Sequence, residues 1–173
     1  HCEVWDVDGL MNSLTACFEA NGLPVQNGRI QPELAQLLTP DKMRCGCRAN
    51  DWEEAVRLAC GVLNETGDVT AEFERSAVES VKRAGPYIAL VHGEAGKGVH
   101  RLAMSLVTLE NPVEFHHPDN DPVRLVFCLA PADNWSHIQA LKDLLDVLGR
   151  CPIKKLCGAK TPQELYRYFE GRL

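Results

Sequence analysis

The stretch Val123-Arg124-Leu125-Val126-Phe127-Cys128-Leu129-Ala130 constrains the fold of this chain more than any other. It has strand length and is apolar throughout except for Arg124. Successive strand residues point to opposite faces, so a run that is apolar on both must be covered on both. That describes a central strand with a layer on either side. Two further apolar runs have strand length, Tyr87 to Val91 and Leu102 to Leu109.

Helical patterns interleave with these runs. Asp51 can cap a helix from Trp52 to Glu65, with Val56, Ala59, Cys60 and Leu63 on one face. Thr70 caps a second, Ala71 to Ala84, stopped by Gly85-Pro86. A third runs from Trp135 to Leu148, with Ser136 and Gln139 at capping-box spacing. Thr161-Pro162-Gln163-Glu164 opens a fourth, Gln163 to Glu170. The expected fold is α/β, a mixed sheet sandwiched between helices. Ahead of it, Val7 to Ala20 and Gln31 to Leu38 have short helical patterns. Residues 1–36 therefore read as a helical connector arm and 37–173 as one domain.

Charge and composition narrow the function. The chain has 173 residues, 45% of them hydrophobic, enough to bury a core, and a net charge of −6. That charge lacks the footprint of a nucleic-acid binder, and Lys82-Arg83 and Lys154-Lys155 read as solvated helix ends. No run approaches the roughly 18 apolar residues of a membrane span. The chain opens on His1 without a signal-peptide pattern, so it reads as a cytoplasmic protein beginning at a fragment boundary. Cys17, Cys60 and Cys128 lie inside apolar runs and read as reduced core thiols. The pairs Cys45/Cys47 and Cys151/Cys157 do not have zinc-site spacing.

His92 ends a strand beside the glycine-rich Gly93 to Gly98, where α/β proteins place their sites. That loop is not a P-loop: two residues, not four, separate Gly93 from Gly96, and Gly98 follows Lys97. His137 falls in the first turn after the central strand, where unpaired N–H groups and the helix dipole attract phosphate. His116-His117 and its acidic neighbours read as a polar loop, and His100 as a surface residue.

Taken in order, the segment from Leu37 to Phe115 and then Asn120 to Leu148 resembles the enzyme IIA domains of the bacterial sugar phosphotransferase system. It is most similar to the mannitol–fructose–ascorbate class and its ascorbate-type branch. Ala89-Leu90-Val91-His92 matches the family's acceptor segment, and Asn134-Trp135-Ser136-His137 its second histidine. The resemblance implies that His92 accepts a phosphoryl group from the carrier HPr and hands it to an enzyme IIB. It implies that His137 donates to the phosphoryl oxygens, helped by the amides of Asn134 to Ser136. No metal or other cofactor is implied, since phosphoryl transfer is positioning and electrostatics.

The chain departs from the family in running straight from Gly85-Pro86-Tyr87-Ile88 into Ala89, where members carry a longer stretch, and in having Val91 in place of proline. A second alignment sets Tyr87 to Gly93 against the upstream strand and deletes the acceptor segment. The N-terminal "HCEVWDVDGLMNSLTACF" looks similar to the connector before IIA-like ends of β-glucoside-antiterminator-type regulators. Three functions therefore stand open. One is the C-terminal, phosphoryl-accepting or -sensing domain of such a regulator, joined to upstream domains. Another is a stand-alone enzyme IIA, and the third a degenerate interaction module, for instance for homodimerisation.

Overall fold

The structure is a computed structural model that describes residues 32–84, 90–92, 96–116, 121–133 and 136–170. Val81 to Ala84 and His92 are described by their backbone. The first expected arm helix lies outside the described residues. The second appears as the short α1, Leu34–Leu37, with both terminal leucines in the core.

Asp51 caps α2, Trp52–Glu65, accepting from the Glu54 amide at 2.8 Å. The expected stripe of Val56, Ala59, Cys60 and Leu63 is completely buried, with Ala55 and Val62 beside it. Gly67, at φ +73, turns the chain into α3, Ala71–Ala84, where Thr70 Oγ1 accepts from the Glu72 amide. Both helices have the predicted bounds, because their caps and stops are local signals.

Four strands form one sheet among the described residues: β1 Met43–Cys47, β2 Leu90–His92, β3 Ala103–Val113 and β4 Val123–Ala130, in the order β1-β3-β4-β2. β1 is parallel to β3, β3 antiparallel to β4, and β4 parallel to β2. The sheet is mixed, as expected, and β4 is central with its apolar residues buried. Arg124 is reconciled to that strand by donating to the carbonyls of Leu109 and Glu110 at 3.2 and 3.1 Å. The same carbonyls lie where β3 shifts register and runs on through exposed Glu110, Asn111 and Pro112 to Val113, past the expected end at Leu109.

Helices cover both faces. Cys128 points to α2. Phe127, its neighbour and so on the opposite face, meets Phe169 edge-on at 6.4 Å between centroids. The C-terminal half comprises α4 Ile138–Arg150, α5 Ile153–Gly158 and α6 Pro162–Tyr166. Asp143 joins α4 to α1 by accepting from the Leu34 amide at 3.1 Å. Tyr166 Oη donates to the Ala35 carbonyl at 3.2 Å.

Several elements differ from expectation. No sequence signal marks β1, because Gly46 sits at φ +65 in a bulge and its amide bonds Thr108 Oγ1 in place of a ladder partner. The described part of β2 begins at Leu90 and includes His92, whereas the apolar run predicted a strand closing at Val91. α4 starts at Ile138, not Trp135, and the Ser136–Gln139 capping box does not form. Instead the Asp133 carboxylate takes the Ser136 amide at 2.7 Å, and Gln139 donates to Asp143 at 2.8 Å. α5 was not expected, and its Lys154 and Lys155 are exposed on it. α6 stops at Tyr166, with turns continuing to Glu170.

Candidate functional site

The topology places one predicted site residue, His92, at an end of the sheet, next to the strand that precedes the other, His137. β2 and β4 are parallel neighbours, with Leu90 opposite Phe127, Val91 opposite Cys128 and His92 opposite Leu129. His92 therefore lies at the carboxyl end of β2. One residue beyond its partner, β4 ends at Ala130 and turns through Pro131 to Asp133 toward His137. The carboxyl ends of adjacent parallel strands are where open α/β sheets place ligands. Asn134 lies outside the described residues.

His137 is the N-cap of α4, one position before the helix rather than inside its first turn. Its side chain is 7% exposed. Burial pushes its pKa below the usual histidine value, against a backbone hydrogen bond at Asp133 and the Asp133 carboxylate, which favour the charged form. The His137 side chain makes no cap hydrogen bond and the first turn of α4 holds no acid, and the positive end of the helix dipole lies at this turn. Ser136 Oγ is buried and has no hydrogen-bond partner among the described residues. The described residues thus offer a neutral imidazole, a hydroxyl and a helix N-terminus.

The chain returning from β2 is held by a network that sequence reasoning missed. The Thr70 amide donates to the Gly98 carbonyl at 2.8 Å, and Val69 bridges Val99. The His100 amide donates to the Asp68 carbonyl at 2.8 Å. The Asp68 carboxylate is fully buried. It accepts from Thr66 Oγ1 at 2.6 Å, meets Lys42 Nζ at 3.1 Å and binds Arg101 Nε. Burial opposes its ionisation, but the bonds from Thr66, Arg101 and Lys42 outweigh that and hold its pKa below the usual value. Gly98 sits at φ +63, where an added Cβ would lie 2.4 Å from Thr70 Oγ1 and 2.7 Å from the Phe73 amide nitrogen. The sequence hint was an acid in a Thr-Gly-Asp turn. Its partners are 26 and 33 positions away, so nothing local reveals them.

Of the other histidines, His100 is exposed, as expected, and His116 is exposed at φ +62. His117 lies outside the described residues. No group of three or more metal-ligating side chains is present among the described residues. No described helix is long and apolar enough to cross a membrane.

A mixed α/β sandwich with His92 at the carboxyl end of β2 and His137 at the N-cap of the helix that follows β4 defines a class of small α/β domain. Residues 36–171 match the family model described as phosphoenolpyruvate-dependent sugar phosphotransferase system, EIIA 2. The chain belongs to that family, the EIIA-type phosphoryl-carrier domains of the sugar phosphotransferase system. The ascorbate-specific PTS system EIIA component of Salmonella paratyphi A is 34% identical over 133 residues, covering 72% of this chain and 86% of the relative. The crystal structure of IIA mannitol from Escherichia coli superposes with a TM-score of 0.66 at 25% identity, covering 75% of this chain and 96% of that one. The IIA mannitol chain in the Escherichia coli complex with phosphorylated enzyme IIB shares the fold, with a TM-score of 0.68 at 23% identity over 79% of this chain and 100% of that one.

Proposed function

We propose that His92 accepts a phosphoryl group from HPr and passes it to an enzyme IIB, with His137 and the Asn134 to Ser136 turn binding the phosphoryl oxygens. The observation that carries this reading is the parallel pairing of β2 with β4, which puts His92 beside the strand that leads into His137. In the transfer, a ring nitrogen of His92 forms the new N–P bond as the N–P bond of the donor phosphohistidine breaks. The donor imidazole leaves with the electron pair. The N-terminus of α4 stabilises the oxygens with partial positive charge, and Ser136 Oγ supplies a hydroxyl donor. A neutral His137 has a single N–H to give, so an arriving dianionic phosphoryl group favours its protonated form, which donates from both nitrogens.

In this reading the domain is the phosphoryl-accepting or -sensing end of a transcriptional regulator of the antiterminator type, with upstream domains, including any that contact nucleic acid, outside this chain. The similarity of residues 1–18 to such a connector and the net charge of −6 support it. A stand-alone carrier is equally consistent with the EIIA family match. Incubation with enzyme I, HPr and phosphoenolpyruvate tests the chemistry. The expected result is an acid-labile mass gain of one phosphoryl group that His92→Ala removes. A wild-type protein that gains no mass refutes the transfer and leaves a degenerate module acting by docking or homodimerisation. The gene sequence upstream of His1 separates regulator from carrier.

A further inference from the structure

Val91, Cys128 and Ser105 form one row across β2, β4 and β3. α2 lies against that row. Ser105 Oγ donates to the Ala59 carbonyl at 2.7 Å, and the next residue, Cys60, puts its sulfur 3.5 Å from that of Cys128. Ala59, Cys60, Ser105 and Cys128 are small and fully buried, which lets the helix approach the sheet closely. Both cysteines are thiols, and phosphoryl transfer uses neither.

We propose that Cys60 and Cys128 form a redox latch, which a hydroperoxide closes to a disulfide that ties α2 to β4 beside the strand bearing His92. The sulfurs must close from 3.5 Å to about 2.05 Å. One thiolate attacks the peroxide, breaking its O–O bond, to give a sulfenic acid and hydroxide. The sulfur of the second thiol then attacks the sulfenic sulfur: the S–S bond forms, the S–O bond breaks and water leaves. The two thiols lose two electrons and hydrogen peroxide gains them, so two thiols and one peroxide become one disulfide and two waters. Burial restricts the oxidant to something close to water in size. The hydrogen bond to Cys60 and burial keep the Cys128 thiol protonated, so closure is slow at neutral pH and accelerates as pH rises. Because the bond spans 68 positions of chain, it restricts the unfolded state and raises Tm by roughly 10 °C.

The full chain is treated with hydrogen peroxide, alkylated with iodoacetamide in denaturant, and digested without reduction. The expected product is a peptide pair joining Cys60 to Cys128, reversed by dithiothreitol, together with a Tm rise that Cys60→Ala lacks. Cys128→Ser provides a second variant should Cys60→Ala not fold, and the wild-type peptide map decides the bond without either. Recovery of both thiols alkylated, their conversion to sulfinic acids, or their linkage to other cysteines overturns the proposal. So does a Cys60–Cys128 bond that leaves Tm unchanged, or a Tm rise that persists in the variants.

Discussion

Replacing Asp68 with asparagine keeps the shape of the side chain and removes its charge from a fully buried site. The carboxylate is fully buried and serves Lys42, Thr66 and Arg101 together. An amide oxygen still accepts from Thr66, so that hydrogen bond survives. Arg101 is 64% exposed and regains water on its own. Lys42 is 12% exposed and does not, so an ammonium is left largely desolvated without its counter-ion. A buried ion pair adds little net stability over an apolar pair, but deleting one member costs about 3 kcal/mol or somewhat more. For a domain of this size that lowers Tm by roughly 6–12 °C.

The pH dependence carries a second signature. Asp68 has a folded pKa below its unfolded value, so its contribution is complete above about pH 4 and fades as pH falls through the folded pKa. Urea unfolding of the wild type and Asp68→Asn at a series of pH values measures both. The expected difference is a midpoint shift at unchanged m-value at pH 7, closing as the pH is taken down toward 2. A difference below about 1 kcal/mol at pH 7 would refute the claim that the clamp depends on charge. A difference that persists undiminished at pH 2 would do the same.

Gly98→Ala destabilises by at least about 2 kcal/mol, since alanine resists a φ of +63 and its Cβ meets Thr70 and Phe73; a smaller midpoint shift in urea would place the 98–101 segment elsewhere. His137 titrates below 6.5 by NMR in the free protein, because burial disfavours its charge, and above that value once His92 carries a phosphoryl group; no upward movement on phosphorylation argues against contact between them. Its depressed folded pKa also sets the sign of a stability effect: the contribution is full above the unfolded value of about 6.5 and is lost as pH falls, so His137→Gln shows a weaker loss of stability between pH 7 and 5. Ser105→Ala loses the bond to the Ala59 carbonyl inside the core and costs about 1 kcal/mol; thermal unfolding checks this, and an unchanged Tm would mean that α2 is held to the sheet by its apolar contacts alone.

What could be read from the sequence follows the range of the interactions that fix each element. The bounds of α2 and α3 are written in Asp51, Thr70 and their stops within a few positions, and the two-faced apolar character of Val123 to Ala130 demanded a central strand. The order of these features was enough to identify the enzyme IIA class. The edge strand β1 was invisible, because a bulged glycine bonded to Thr108, 62 positions away, replaces the alternation that marks a strand. The start of α4 moved to Ile138 because Asp133, not Ser136, captures the turn. Local hydrogen bonding and apolar period are properties of neighbouring residues, so the sequence by itself determined α2, α3, the central strand and the fold class. The pairing of β2 with β4, the burial that keeps His137 neutral, the Asp68 clamp and the meeting of Cys60 with Cys128 join residues from 26 to 68 positions apart or depend on desolvation. Only the packed chain creates those distances and that low-dielectric interior, and so only the tertiary structure decided them.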